Sequence, residues 1–221
     1  MKLWHCRGAR SLRALWALEE MALDYEVEVL PFPPRMFAPE YLQVNALGTI
    51  PYLEDGDTRM TESCAICHYL VERYQRYEFG LRPEHPEYGD YLNWLYHADA
   101  TLTFPQTIAM RYFHLEPTPE KQAVAVDYGK WFYARLRRLD THIAEREWLV
   151  DNRFTIADIT VGYALYLAEM LKLGEACDRS FTPQTADYLA RLKARPAFQR
   201  ADAIEGDVDT NPMDFIKESP Q

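Results

Sequence analysis

The chain has 221 residues, of which 48 % are hydrophobic and 14 % aromatic, enough for one large domain or two modest ones. Its formal net charge of −10 argues against nucleic acid and against an anionic membrane surface as partners. The first ten residues lack the apolar segment of a secretory signal, and no run is long enough to span a bilayer. We therefore expect a cytoplasmic protein with no membrane partner.

The four cysteines, with no export signal, are typical of reduced thiols. Cys64 and Cys67 have C-x-x-C spacing, which could indicate redox chemistry or half of a zinc site. The pair falls inside a predicted helix, however, and no second ligand pair occurs elsewhere. We interpret both as packing cysteines and expect no metal.

Short strands alternate with helices in the first part of the chain. Apolar spacing and period-two alternation predict strands over 2–5, 25–30, 49–54 and 58–60 and helices over 11–23, 39–44 and 62–74. A parallel β-α-β unit followed by a hairpin and a last helix is the thioredoxin-like arrangement. The fold class is thus an α/β thioredoxin-like domain followed by an all-α domain.

The remainder reads as helical after a polar, proline-bearing linker. The predicted helices cover 87–112, with a kink or break near Thr103 caused by Pro105, then 118–146, a segment from Thr155, and 182–195. Thr155 and Asp158 have the spacing of a capping box. The predicted boundaries are a first domain over 1–79, a linker over 80–87 and a helical domain over 88–221. From about residue 203 the sequence lacks apolar periodicity, which is typical of a disordered tail.

Five sequence blocks, in a consistent order, resemble one known family. They are MKLWHCRGARSLRALWALEE, NALGTIPYLEDGD, TESCAICHYL, FTIADITVGYAL and ARPAFQRA. Over nearly its whole length the chain resembles the cytosolic glutathione transferases, in particular the bacterial beta- and theta-like members. The resemblance implies glutathione as co-substrate, no metal, a small hydrophobic electrophile as acceptor, and a homodimer.

The resemblance also implies where glutathione binds. Ile50, before a cis Pro51, would pair its main chain with the cysteinyl residue of glutathione, next to Thr49, where relatives often carry Lys or Gln. Glu62 would receive the ammonium of the γ-glutamyl group, and Ser63 its carboxylate at a helix N-terminus.

Each of these assignments has a plainer alternative. Pro51 could be an edge-strand proline with a trans bond, and Glu62 and Ser63 could simply cap a helix. The resemblance also implies a role for Asp99, which lies near the position from which some relatives reach the ligand's ammonium across the dimer.

The thiolate-stabilising residue stays open among three candidates in the loop after the first strand. A thiol of pKa about 8.5 must be acidified by a donor, a cation or a helix N-terminus. Ser11 could donate its hydroxyl to the sulfur or merely cap a helix, whereas Arg10 could act as a fixed cation. Cys6 could instead take the place of the catalytic cysteine of members that reduce disulfides.

An aromatic stripe is the candidate for the acceptor pocket. Phe32 would line it from the first domain, and Trp94, His97, Thr101 and Phe104 from the first long helix. The same spacing also fits plain core. The favoured function is a glutathione transferase. The alternatives are a glutathione-dependent thiol–disulfide reductase or lyase using Cys6, and a non-catalytic glutathione-binding scaffold.

Overall fold

The computed structural model of the protein describes residues 1–204. The predicted tail therefore lies, from residue 205 onward, outside the described residues. The strands are β1 (Lys2–His5), β2 (Glu26–Val29), β3 (Tyr52–Asp55) and β4 (Thr58–Met60). The α-helices are α1 (Ser11–Glu20), α2 (Pro34–Phe37), α3 (Ser63–Arg73), α4 (Tyr88–Tyr96), α5 (Phe104–Met110), α6 (Pro119–Arg135), α7 (Arg137–Ile143), α8 (Ile156–Met170), α9 (Leu173–Cys177), α10 (Pro183–Lys193) and α11 (Pro196–Asp202).

The contacts divide the described chain into two compact units. The first unit contains Met1–Tyr77 together with the described residues from Ala194 onward, and the second contains Glu78–Lys193. The sequence analysis assigned everything after residue 87 to one helical domain, whereas these contacts group the last helix with the first unit. The reason is visible in α11, which packs on α1.

The first unit is built on a mixed sheet with the thioredoxin-like order that the sequence predicts. The strand order is β2-β1-β3-β4, with β1 parallel to β2 and antiparallel to β3. The sheet places the end of β1, where His5 lies, beside the strand that follows Pro51. Leu3 and Leu53 pair across the β1–β3 ladder and are both fully buried, so the core runs beneath these central strands.

Helix α11 is anchored to α1 by a ring contact and an ion pair. The rings of Trp16 and Phe198 meet edge to face at 5.0 Å between centroids. Glu20, in the last turn of α1, accepts hydrogen bonds from the Trp16 indole and from the guanidinium of Arg195. A late, short helix thus completes the core of the first unit.

In the second unit, α8 is the central helix. Twelve of its 15 residues are buried, as expected for the apolar run that the sequence shows there. The capping box predicted at its start is present, with Thr155 as the cap and Asp158 as the reciprocal partner. The other predicted helix starts, at Thr118 and before Pro183, agree with α6 and α10.

At the kink or break predicted near Thr103 the structure has a π-helical segment, and the helix is not interrupted. The chain stays helical from Tyr88 through His97–Thr103 into α5. Pro105 cannot donate a main-chain hydrogen bond, so the helix widens just before it. Buried side chains also bind two carbonyls of this segment: Thr103 Oγ1 donates to the carbonyl of Ala98 at 2.7 Å, and Gln106 Nε2 donates to that of Leu102 at 3.1 Å.

The segment predicted as a linker is held by hydrogen bonds within the second unit. Arg153 donates to the carbonyls of Glu78 and Gly80, and Arg146 makes a two-pronged ion pair with Glu87 at 2.8 and 2.9 Å. Proline content suggested a polar spacer, but these side chains lie more than 50 residues away in sequence and could not be paired with it by local pattern. Within residues 1–204, no helix combines the length and hydropathy needed to cross a membrane.

Candidate functional site

The loop between β1 and α1 turns tightly at Gly8. Its φ of +67° lies in the left-handed region, where glycine carries no steric penalty. The N–H of Ala9 donates to the carbonyl of Cys6 at 3.1 Å, which closes the turn. The loop therefore brings the three candidate thiolate-stabilising residues to the start of α1.

Cys6 lies in a buried, apolar environment that disfavours a nucleophilic thiolate. Its side chain is fully buried in a cluster with Trp4, Leu30, Ala38 and Tyr41. The Sγ atom lies 3.6 Å from the carbonyl oxygen of Pro31, and burial raises the pKa of the thiol to about 12. A thiol with that pKa is protonated at neutral pH. The apolar cluster disfavours the thiolate, which argues against the predicted catalytic role of Cys6.

Ser11 directs its hydroxyl into the protein. Its Oγ accepts from the N–H of Cys6 at 3.2 Å, lies 3.3 Å from the Cys6 carbonyl and 2.9 Å from His5 Nδ1. A hydroxyl has one proton to donate, and it finds an internal acceptor in either tautomer of His5. Burial lowers the pKa of His5 to about 4, so its imidazole is neutral. Ser11 therefore fixes the loop, and these internal hydrogen bonds compete with its predicted role as thiolate donor.

Arg10 is the remaining candidate of the three. It is the N-cap residue of α1 and is partly exposed, unlike Ser11 and Cys6. Arg7, one turn earlier in the loop, is fully on the surface. Either guanidinium is a permanent cation at any pH of interest, but only Arg10 lies directly at the start of the helix.

The segment before β3 is held by hydrogen bonds to one carbonyl. The carbonyl of Thr49 accepts from Tyr41 Oη at 2.8 Å and from Asn45 Nδ2 at 2.9 Å. The Ile50–Pro51 peptide that follows is cis, as the resemblance implies. Among the described residues, no hydrogen bond involves the main chain of Ile50. Tyr41 and Asn45 were not among the predicted site residues, because their hydrogen bonds to Thr49 depend on how the loop folds.

The start of α3 brings Glu62, Ser63 and a third residue together. Glu62 is the N-cap residue, is exposed, and makes no side-chain hydrogen bond to the first turn. Ser63 is buried, and its Oγ accepts a hydrogen bond from Arg13 Nη1 at 3.0 Å. Arg13 is fully buried on α1. The sequence analysis missed it, since its position within an apolar helical face gave no signal beyond an unexpected charge.

The predicted pocket residues differ in how deeply they are buried. Trp94 is 1 % exposed and packs inside the second unit, with the Arg138 guanidinium 4.9 Å and the His142 ring 5.2 Å from its ring centroid. Trp94 is therefore core, which corrects its assignment to a pocket wall. The spacing that suggested a stripe is also the spacing of a buried helix face.

The other predicted pocket residues of the second unit are less buried than Trp94. Phe104 is 51 % exposed, and Thr101 is partly buried. His97 is half-buried, and its pKa is lowered to about 4 by burial and by the nearby Arg138 and Arg135 cations. Asp99 is partly exposed in the π-helical segment.

Phe32 belongs to the first unit. Its side chain is partly buried and packs against the cluster around Cys6. It also precedes a second cis peptide, Phe32–Pro33, which the sequence analysis did not anticipate. In the described part of the chain, no group of three or more His, Cys, Asp or Glu side chains could hold a metal ion.

Comparison with known proteins agrees with this architecture. Residues 1–72 match the family model of the glutathione S-transferase N-terminal domain, and residues 97–196 match that of the glutathione S-transferase C-terminal domain. Together the two models cover most of the chain. The protein therefore belongs to the glutathione S-transferase family.

Individual relatives differ in what their names say. Glutathione S-transferase 1 of Schizosaccharomyces pombe is 28 % identical over 88 % of this chain and 92 % of its own length. Elongation factor 1-gamma 2 of Oryza sativa subsp. japonica is 27 % identical over 77 % of this chain but only 39 % of its own length. The theta class glutathione S-transferase of Xanthomonas axonopodis pv. citri, solved with glutathione bound, is 26 % identical, with a TM-score of 0.73 over 91 % of this chain and 96 % of that one.

Proposed function

We propose that the protein binds glutathione on its first unit and transfers it to a small hydrophobic electrophile. Three segments support this proposal. The main chain of Ile50 has no hydrogen bond in the described chain, the start of α3 places Ser63 against a buried cation, and Arg10 lies at the start of α1. The start of α3 carries the most weight, because a helix N-terminus with a nearby positive charge favours a carboxylate.

The roles follow from the chemistry of the tripeptide. Ile50 would pair its N–H and C=O with the cysteinyl main chain, like an added strand. Ser63 would donate to the γ-glutamyl carboxylate, and Glu62 would accept from the γ-glutamyl ammonium. Thr49 would hold the segment through its carbonyl, and Asp99 of a second copy in a homodimer could also reach the ammonium.

Arg10 is the proposed thiolate stabiliser. A cation near the sulfur lowers the pKa of the glutathione thiol, so more of it is thiolate at neutral pH. The thiolate then attacks an electrophilic carbon: a C–S bond forms, the bond to the leaving group breaks, and the leaving group departs with the electron pair. The thiol proton passes to solvent. Phe32 and Phe104 are the proposed apolar contacts for the acceptor.

The test combines binding with turnover. Calorimetric titration of glutathione should show one site per chain, and conjugation of 1-chloro-2,4-dinitrobenzene should release chloride. Arg10→Ala should raise the pKa of the bound thiol, read from thiolate absorbance, and lower kcat at neutral pH by about tenfold to a hundredfold. Arg7→Ala, in the same loop, is the matched control and should leave both unchanged. An unaltered thiol pKa in Arg10→Ala would remove Arg10 from the mechanism.

A non-catalytic scaffold is the second candidate function, and one observation favours it. Both the hydroxyl of Ser11 and the thiol of Cys6 contact acceptors inside the protein, which disfavours activation of glutathione by either group. Binding of glutathione without conjugation of several unrelated electrophiles would support the scaffold. Cys6→Ser tests the reductase reading, and we expect its thiol–disulfide exchange activity to equal that of the wild type.

A further inference from the structure

Arg13 presents a fully buried guanidinium behind the first turn of α3. Arginine is almost never completely buried unless it is paired, because removing the charge from water costs several kcal/mol. Here the side chain is 0 % exposed, and Nη1 donates to Ser63 Oγ at 3.0 Å. Ser63 is the first residue of α3 and is itself 4 % exposed.

A second bond joins the same two helices. The Cys67 thiol, one turn further along α3, lies 3.4 Å from the main-chain carbonyl oxygen of Arg13. Burial raises the pKa of Cys67, so this thiol keeps its proton and donates it. Helix α1 thereby holds α3 at two successive turns, and the guanidinium has a fixed position relative to Ser63.

The direction of the Arg13–Ser63 bond has a chemical consequence. The guanidinium can only donate, so Ser63 Oγ is the acceptor, and the hydroxyl proton of Ser63 points elsewhere. A carboxylate can only accept. Ser63 is thus arranged as a donor towards an anion, and a permanent positive charge lies directly behind it in a region that water does not screen.

We propose that Arg13 is the positioning residue for the γ-glutamyl α-carboxylate of glutathione. It orients the Ser63 hydroxyl through the Nη1–Oγ bond and adds a fixed positive charge to the helix dipole of α3. The proposal rests on the proposed function, since it requires that glutathione binds at the start of α3. Arg13 would thus act on the ligand from α1, through Ser63 and through its charge, without contacting the ligand itself.

Two variants separate charge from hydrogen-bond geometry. Arg13→Lys keeps the charge but loses the planar fork, whereas Arg13→Gln keeps a donor without the charge. Arg13→Gln should weaken glutathione binding by about tenfold or more, and Arg13→Lys by less, as is typical of a lost charge-assisted contact. Arg73→Gln removes an exposed arginine at the far end of α3, the helix that Arg13 contacts, and is the matched control; its affinity should equal that of the wild type.

A second ligand distinguishes positioning from general damage. γ-Aminobutyryl-cysteinylglycine lacks the γ-glutamyl α-carboxylate but keeps the ammonium, whereas glutaryl-cysteinylglycine keeps the carboxylate and lacks the ammonium. Wild-type affinity should fall for ligands without the carboxylate, and the difference between the wild type and Arg13→Gln should then vanish. A merely structural role for Arg13 would weaken all ligands equally, and that result would overturn the proposal.

The double variant with Ser63→Ala provides the second criterion. If Arg13 acts through the Ser63 hydroxyl, part of its effect on glutathione affinity should be missing in the Ser63→Ala background. Full additivity would contradict positioning. Circular dichroism confirms folding, and Arg13→Lys is used if Arg13→Gln does not fold. Absence of glutathione binding by the wild type would refute the proposed function itself, whereas normal binding by both Arg13 variants would refute only the role of Arg13.

Discussion

The N-termini of helices α8 and α3 differ in which side chains bind to their first turns. At α8, the Thr155 hydroxyl accepts from the N–H of Ala157 at 3.3 Å, and the carboxylate of Asp158 accepts from the N–H of Thr155 at 2.8 Å. Asp158 also accepts from the Tyr188 hydroxyl at 2.8 Å and from the N–H of Leu149 at 3.1 Å. The protein thus supplies its own carboxylate, which is completely buried.

At α3, the corresponding carboxylate is missing from the first turn. The cap residue Glu62 is exposed and makes no side-chain bond to the helix, and Ser63 is turned toward a cation instead of a helix N–H. The comparison indicates a division of roles. The start of α8 is completed internally and serves stability, whereas the start of α3 has no internal carboxylate, which is where we propose that the ligand carboxylate binds.

The largest effect is expected from removing the internal carboxylate. Asp158→Ala should lower the free energy of unfolding by about 3–5 kcal/mol, because it leaves buried donors of Tyr188 and Leu149 without an acceptor and removes the cap. Chemical denaturation of the wild type and the variant measures this. Asp127→Ala, an exposed aspartate within α6, is the matched control and should change stability by less than about 1 kcal/mol.

A small loss in Asp158→Ala would mean that water replaces the carboxylate at the start of α8. The two helix N-termini would then not differ in the way the hydrogen bonds suggest. Glutathione affinity should be unchanged in whatever fraction of the variant remains folded.

The two units should also respond to pH in opposite directions. In the first unit, burial lowers the pKa of His5 from 6.5 to about 4, so the unfolded chain takes up its proton first and stability is lost as pH falls below about 6.5. In the second unit, burial raises the pKa of Asp158 from 3.8 to about 6 against the opposing effect of its hydrogen bonds. Between about pH 4 and pH 6 the native state still holds this proton, whereas the unfolded chain has released it. The stability that the bound proton contributes is therefore lost as pH rises from about 4 to about 6.

The measurement is the difference in unfolding free energy between each variant and the wild type across that range. His5→Asn, which can still bond to Ser11, should reduce the loss of stability at acid pH by up to about 3 kcal/mol. Asp158→Asn should change the pH dependence in the opposite sense and by a similar amount. Parallel pH profiles for both variants and the wild type would show that neither group titrates differently in the folded state.

The sequence predicts the fold well where a local pattern carries the information. The strand order of the first unit follows from alternation and turn residues, and the start of α8 follows from the spacing of Thr155 and Asp158. The packing of α11 on α1 could not be predicted in this way. It depends on Trp16 meeting Phe198, residues that are distant in sequence and whose contact no local pattern indicates.

The candidate site was less predictable, since a residue type does not reveal which way its side chain points. Ser11 and Cys6 are suitable groups for thiol chemistry, but burial and hydrogen bonds turn both inward. Arg13 was missed for the converse reason: its charge sits in an apolar helical face, and only the tertiary contact with Ser63 gives it a role.

The smallest expected effects come from one substitution at each helix start, one that changes stability and one that changes glutathione affinity. Thr155→Ala should lower the free energy of unfolding by about 1 kcal/mol, because it removes one cap acceptor, and should leave glutathione affinity unchanged. Glu62→Gln should leave stability unchanged, since the side chain is exposed, but should weaken glutathione binding by about threefold to tenfold through loss of a charged partner for the ammonium. Thermal melting and calorimetric titration of both variants test these two expectations. If Glu62→Gln reduced stability as much as Thr155→Ala, the start of α3 would be an ordinary capped terminus, and its open carboxylate position would have no special role.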